Sequence, residues 1–293
     1  MSQATPSSRY LRCAGREIHY MDWGPADAPA VIAWHGLART GRDMDELAAF
    51  LSAAPAGYRV LCPDTIGRGL SEWSPEPQRE YCLSFYARLA TAFADALGLQ
   101  RFRWIGTSMG GAIGMVAAAA SLRGRISHLV LNDMGPKITD SAIARIRSYA
   151  GNPAAFATVS ELEQYFRTIY RPYGFLTDAQ WRRLTETSTR RLPDGRVTPH
   201  YDPAMVQQFE HHPNDHERWD DYDSLDIPVL CLRGADSDLL GADTAAAMAL
   251  RGPRAQVVTL AGCGHAPALN VPEQLALVRD FLARDAQPDH RHS

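Results

Sequence analysis

Six short runs rich in Val, Ile and Leu recur along the chain, at Val31–Trp34, Tyr58–Cys62, Phe102–Ile105, Ile126–Leu131, Val229–Leu232 and Val257–Leu260. Each has the length and continuous apolar character of a strand buried on both faces. Segments with helical spacing lie between them: Met44–Leu51, Tyr86–Leu97, Ala112–Leu122, Thr244–Leu250 and Gln274–Leu282. Strands that alternate with helices predict an α/β fold, a mostly parallel central sheet flanked by helices on both faces. The alternation breaks from about Lys137 to about Asp223, where helical patterns carry many aromatics and no convincing strand. This predicts an inserted helical cap over residues 137–223, between a first core part at 1–136 and a second at 224–293. Aromatics such as Phe156, Tyr165, Phe166, Tyr170, Tyr173, Phe175, Trp181 and Phe209 recur three or four apart, as on one helical face. Most are expected in the cap's core and a minority in a pocket, with Trp181 assigned to substrate contact. Pro193-Asp194-Gly195 is a turn signal within the insertion, and the tail Gln287–Ser293 is expected to fray.

The charge balance narrows the partners. With 30 Lys and Arg against 33 Asp and Glu in 293 residues, no whole-molecule field draws the chain to nucleic acid or an anionic membrane. A small-molecule substrate is the expected partner, for a monomer or homodimer. Met1–Ser8 lacks the basic and apolar regions of a secretory signal, and no apolar run approaches the roughly 18 residues that span a bilayer, so a cytoplasmic location is expected. The five cysteines are odd in number and scattered, with no CxxC pairing, which predicts free thiols.

The chemistry is concentrated after the run Phe102–Ile105. There the chain reads Gly106-Thr107-Ser108-Met109-Gly110-Gly111 and passes directly into a helix of small residues, Ala112, Gly114 and Ala117–Ala120. This is GxSxG between a strand and a helix. A serine held in a strained strand-to-helix turn presents its hydroxyl above the sheet, and only glycines let neighbouring backbone pass so closely. Ser108 is therefore the candidate nucleophile. A serine hydroxyl needs a base, and imidazole suits that task at neutral pH. His265, in the loop Gly262-Cys263-Gly264-His265-Ala266-Pro267 after the last expected strand, is the candidate.

A carboxylate must fix the tautomer of that imidazole. Arg233-Gly234-Ala235-Asp236-Ser237-Asp238-Leu239-Leu240 offers two acids, and Asp238 is favoured because the apolar pair behind it would anchor the loop and aim the preceding side chain inward. Asp236 is an alternative, as is Asp133, which follows Ile126–Leu131. For the oxyanion, the backbone N–H of Met109 is one expected donor. The N–H of Leu37, in His35-Gly36-Leu37 after Val31–Trp34, is the other, with His35 bracing the loop. Arg39 lies close enough to that loop to bind a substrate carboxylate.

Together these residues resemble the α/β-hydrolase superfamily, in its cap-bearing esterase, lactonase and meta-cleavage-product hydrolase branch. The likeness spans nearly the whole chain: Tyr20-Met21-Asp22-Trp23-Gly24, His35-Gly36, Asp64-Thr65-Ile66-Gly67-Arg68-Gly69-Leu70-Ser71, the elbow, and Gly264-His265, with the order Ser, acid, His. It implies an α/β-hydrolase fold and hydrolysis of a small carboxylic ester or lactone through an acyl-enzyme, with no metal or organic cofactor. Two positions depart from the pattern: Ser237 stands where the acid loop GxxD carries its aspartate, and Thr107 stands where carbon–carbon hydrolases carry asparagine. Carbon–carbon cleavage of meta-cleavage products is the alternative chemistry. A hydrolase-like ligand receptor is the alternative class.

Overall fold

The computed structural model describes residues 6–53 and 57–284. The tail Gln287–Ser293 and the first five residues of Met1–Ser8 lie outside them. Ten strands are present among the described residues: β1 (Ser7–Cys13), β2 (Arg16–Trp23), β3 (Ala30–Trp34), β4 (Arg59–Pro63), β5 (Phe102–Thr107), β6 (Ile126–Asn132), β7 (Thr189–Arg191), β8 (Val197–Pro199), β9 (Val229–Gly234) and β10 (Gln256–Leu260). The helices are α1 (Asp45–Ser52), α2 (Pro77–Glu80), α3 (Leu83–Ala96), α4 (Met109–Ala119), α5 (Asp140–Ala150), α6 (Val159–Ile169), α7 (Asp178–Glu186), α8 (Gln208–His211), α9 (Trp219–Asp223), α10 (Ala242–Met248) and α11 (Pro272–Leu282).

Eight strands form one sheet in the order β1-β2-β4-β3-β5-β6-β9-β10. From β4 to β10 every neighbouring pair is parallel; β1 and β2 join at one edge as antiparallel strands. All six expected strands are in the sheet. The two that the apolar-run criterion missed are the antiparallel pair, whose apolar residues are interrupted by polar and charged ones: β1 is exposed along most of its length, and β2 carries Arg16, Glu17, His19 and Asp22. Strands β3 and β6 are buried throughout. Two hydrophobic cores follow. One, with Trp34, Phe93 and Trp104, lies between the sheet and α3 and α4; the other, with Val31, Leu51, Val130 and Phe281, lies on the side of α1 and α11. All five cysteines are buried free thiols, as expected from their spacing.

The segment between β6 and β9 carries α5 to α9. It also carries the hairpin β7–β8, which sequence periodicity did not anticipate, closed around Asp194 and Gly195. Two capping boxes start its helices, Thr158 with Glu161 and Thr177 with Gln180. Only part of this segment has a core of its own, built from Leu162, Phe166, Trp181, Leu184 and Val197. Ala142, Ile146, Tyr201, Met205 and Phe209 pack into the main core instead. The segment is tied to the rest of the chain by the Arg39–Ser188 and Arg183–Glu46 contacts, and its Tyr165, Tyr170 and Tyr173 border the same cavity as Ser108 and His265. Among the described residues no helix is long and apolar enough to cross a membrane.

Candidate active site

The turn between β5 and α4 is held by close packing. Ser108 has φ 52° and ψ −120°, a conformation that side-chain-bearing residues rarely adopt. The turn is sharp enough that a Cβ on Gly106 would sit 2.2 Å from the Gly110 carbonyl. A Cβ on Gly110 would sit 2.3 Å from the carbonyl oxygen of Trp34 in β3. Only glycine fits at either place. Gly110→Ala is accordingly expected to push α4 off β3 at a cost of about 1–3 kcal/mol, typical of overpacking, seen as a lowered Tm together with lost turnover. An unchanged melting curve would contradict this packing.

His265 and Ser108 meet above that turn, with Nε2 of His265 2.9 Å from Ser108 Oγ. Nδ1 of the same ring is 2.7 Å from Oδ2 of Asp133. A carboxylate only accepts, so Nδ1 carries the proton and Nε2 is left bare to receive the serine's. Asp133 is fully buried at the end of β6 and accepts from three donors: the His265 ring, the Gly234 N–H at 2.8 Å and the Ser237 hydroxyl at 2.6 Å. These bonds replace the water a buried carboxylate loses.

The favoured acid of the sequence reading is elsewhere. Asp238 is about half exposed and ion-paired to Arg145, at 2.6 and 3.0 Å, and does not bond His265. Asp236 is exposed. The expected aim of Asp238 fails because Leu239 and Leu240 are buried while their amides bond the Ser237 hydroxyl, turning Ser237 inward and its neighbours out. Ser237, at the position where the resemblance puts an acid, serves the carboxylate that Asp133 supplies from the neighbouring strand.

The loop after β3 runs beside the serine: a Cβ on Gly36 would lie 3.6 Å from Ser108 Cβ. Among the described residues neither the Leu37 nor the Met109 amide N–H has a hydrogen-bond partner. The direction of the Leu37 N–H is fixed through its own peptide plane, since a trans peptide points C=O and N–H in opposite directions. The Gly36 carbonyl in that plane accepts from His35 Nδ1 at 2.6 Å and from the Arg39 N–H at 3.2 Å. His35 Nε2 accepts the Thr65 N–H at 2.9 Å, which assigns the ring's proton to Nδ1. The bracing role expected for His35 therefore has a definite geometry. Arg68, fully buried, holds the next carbonyl, that of Leu37, at 2.9 Å. In the sequence the only signal for this role is the place of Arg68 between two glycines, Gly67-Arg68-Gly69.

Burial drives the His35 pKa down to about 4, and burial does the same to His128. Once unfolded, both rings return to about 6.5 and take up protons that the folded chain refuses. Their contribution is complete above pH 6.5 and is lost as the pH falls from there toward 4. The urea midpoint should be level above pH 7 and decline between pH 6.5 and 4.5, with a shallower decline in His128→Gln. A midpoint constant over that window would count against both assignments.

The remaining assignments divide. Arg39 is buried (3% exposed), paired with Asp43 at 2.6 Å and Ser188 at 2.8 Å, and covered by the Tyr170 ring at 4.6 Å, at the wall of the cavity that contains Ser108. Trp181 is not at that cavity. It packs in the insertion's own core, because its spacing on α7 matches Leu184 and the face turned toward α6. His19, which sequence gives no special setting, carries a second serine–histidine–aspartate chain: Ser8 Oγ is 2.8 Å from Nε2, and Nδ1 is 2.8 Å from Asp64 Oδ2. Its surroundings differ from those of Ser108. Ser8 lies in the extended edge strand β1, and Asp64 also holds the Gly41 and Leu70 amides at 2.6 and 3.0 Å. Burial pulls the Asp64 carboxyl upward, but the bonds from His19 and Leu70 outweigh it and hold it below the ordinary carboxylate range. That cluster is a brace for the turn after β4.

A family model for the alpha/beta hydrolase fold matches residues 29–270. The 3-hydroxybutyrate-oligomer hydrolase of Cupriavidus necator is 36% identical over 95% of this chain and 98% of that protein. A non-heme chloroperoxidase of Burkholderia pyrrocinia is 28% identical over 76% of this chain and 80% of its own length. Among solved structures, an alpha/beta hydrolase from Novosphingobium aromaticivorans superimposes with a TM-score of 0.83 at 33% identity, covering 96% of this chain and 99% of that one. Strand order, elbow and sequence agree, and the chain belongs to the α/β-hydrolase family.

Proposed function

We propose that the chain is a serine hydrolase that cleaves a small carboxylic ester, in the first instance a short hydroxyacid oligomer, through an acyl-enzyme. The observation that carries this reading is the continuous bond chain Ser108–His265–Asp133 beside two unpartnered amides. Ser108 Oγ attacks the ester carbonyl carbon while its proton passes to His265 Nε2. The carbonyl oxygen takes the negative charge and is received by the Leu37 and Met109 N–H groups, each such donor being worth on the order of 10² to 10³ in rate. The intermediate collapses, breaking the bond to the leaving oxygen, which takes the proton from His265. Water then repeats the sequence, its proton going to His265 and its oxygen to the acyl carbon, and Ser108 is regenerated. Asp133 stays ionised and stabilises the imidazolium in both halves.

The choice of hydroxyacid oligomers among esters is supported by the relative from Cupriavidus necator, which matches over nearly its whole length. A turnover screen of hydroxybutyrate oligomers, aryl esters, lactones and ring-fission dienoates, with Ser108→Ala as the blank, tests the reading. Ser108-dependent turnover of the oligomers and simple esters is expected. Turnover confined to dienoates would replace it with carbon–carbon cleavage, and single-turnover hydrolysis of everything offered would favour a receptor.

A further inference from the structure

Two cavities meet at Ser108, and they differ in size and chemistry. The smaller, of about 60 Å³, runs from Ser108 along α4 and is walled mainly by apolar side chains such as Met109, Met134 and Phe209, with Asp215, His216 and Arg218 also on its wall. The larger, of about 350 Å³, opens beneath α5 and α6 and is walled by Tyr149, Tyr165, Tyr170 and Tyr173, with Arg145 and Arg39. His265 borders the larger cavity and not the smaller; Met109, which supplies an oxyanion amide, borders the smaller and not the larger. The general acid must reach the leaving oxygen, so the leaving group lies on the side where the imidazole lies. The acyl chain then extends the other way.

From this we infer that the small, mainly apolar cavity is the acyl pocket and the tyrosine-lined chamber is the leaving-group site, so that a hydroxyacid oligomer is shortened one unit at a time from its hydroxyl end. The inference rests on the ester-hydrolase reading above and adds a direction to it. The smaller pocket is the tighter of the two and suits a short acyl unit, while the chamber has room for the rest of the oligomer. The chamber's chemistry fits that cargo. Among the described residues none of the hydroxyls of Tyr149, Tyr165, Tyr170 and Tyr173 bonds to a protein group, although all four residues border the cavity. Burial raises the pKa of Tyr149 to about 12 and pushes Tyr165 and Tyr173 upward too, so these remain neutral donors. A polyester offers little else but acceptors: carbonyl oxygens along the chain and a carboxylate at its end. Nη1 of buried Arg39 has no partner, which leaves one charge-assisted donor on the wall for an ester carbonyl or the terminal carboxylate, while Arg145 is held by Asp238.

A hydroxybutyrate trimer carrying ¹³C only in its hydroxyl-terminal unit decides the direction. Cleavage with that unit as the acyl group releases labelled monomer and unlabelled dimer; cleavage at the other ester releases unlabelled monomer and labelled dimer. Mass analysis of the first tenth of the reaction should find labelled monomer in at least about tenfold excess, the selectivity worth ~1.4 kcal/mol. Unlabelled monomer in excess, or an equal mixture, would overturn the assignment of the two cavities. No Ser108-dependent cleavage of the trimer would instead remove the ester-hydrolase reading on which it rests. The double variant Tyr149→Phe, Tyr165→Phe keeps both rings and should raise KM for the trimer severalfold more than for phenyl acetate. Equal changes for both substrates would show that the chamber does not read the oligomer's oxygens.

Discussion

Replacing Ser108 by alanine is expected to abolish turnover, with kcat falling by about 10⁶ as in serine hydrolases that lose their nucleophile, and only weak acceleration from binding and the oxyanion donors remaining. A fluorophosphonate probe should modify the wild type at Ser108 and leave Ser8 untouched, with all labelling lost in Ser108→Ala. Ser8–His19–Asp64 reproduces the distances of Ser108–His265–Asp133 to within 0.1 Å. If a serine needed only a relay to be reactive, both would react. Ser8 lacks the rest: it lies in a regular strand, whereas Ser108 sits at positive φ, opens helix α4 and has unpartnered amides from Met109 and Leu37 beside it. Unpartnered amides at that place would stabilise charge that exists only in the transition state, which a relay by itself does not do. Labelling at Ser8 as strong as at Ser108 would mean that the strained turn and the amides contribute nothing, and the active-site assignment would fall with them.

What the sequence disclosed and what it withheld follow the range of the interactions involved. The parallel strands are legible because a strand buried on both faces is mostly apolar, a property local to five or six residues; β10 is the exception in burial, since it lies at the sheet edge and is only partly covered. The hairpin of β7 and β8 is not, since Thr189–Arg191 and Val197–Pro199 are three residues each and acquire their pairing from the turn at Asp194-Gly195 and from Phe156 across the way. Ser108 is legible because the elbow's steric demands fall on glycines two residues away. His265 is legible from its loop and its order in the chain. The acid is another matter: Asp133, Asp236 and Asp238 all follow strand ends, and the choice among them is made by which side chain the turn after β9 directs inward. That turn is set by two buried leucines and by a hydroxyl that caps their amides, and the same observation that favoured Asp238 in the sequence, the Leu239-Leu240 anchor, is what turns Ser237 in and Asp238 out. Trp181 lies away from the Ser108 cavity for a related reason: helical spacing says only that a residue faces something apolar, and the core it shares with Leu162, Phe166 and Leu184 is as apolar as a substrate cavity.

Asp133→Asn should lower kcat by about 10⁴ with little change in KM, since the amide can present its N–H to His265 and hold the wrong tautomer. Asp238→Asn should change activity on a phenyl ester by no more than about threefold, the scale of a lost exposed ion pair. The reverse ranking would return the acid to the loop after β9 and refute the geometry at β6. A stricter test uses Ser237. Its Oγ and His265 Nδ1 share the same carboxylate oxygen, at 2.6 and 2.7 Å, so a carboxylate grown from position 237 starts within reach of the ring that Asp133 now orients. Asp133→Ala alone leaves an imidazole free to turn and the Gly234 amide without its acceptor. Asp133→Ala combined with Ser237→Asp supplies an acceptor from the neighbouring strand end, and its kcat should exceed that of Asp133→Ala by at least about tenfold, with Ser237→Asp alone below wild type because two buried carboxylates would then repel across one histidine. Rescue would show that this site asks for a carboxylate at one point in space and is indifferent to which strand delivers it. Failure of the double variant, in protein shown to be folded by its melting curve, would mean that the hydroxyl at 237 and the backbone at 133 hold the imidazole as a unit that a relocated charge cannot replace.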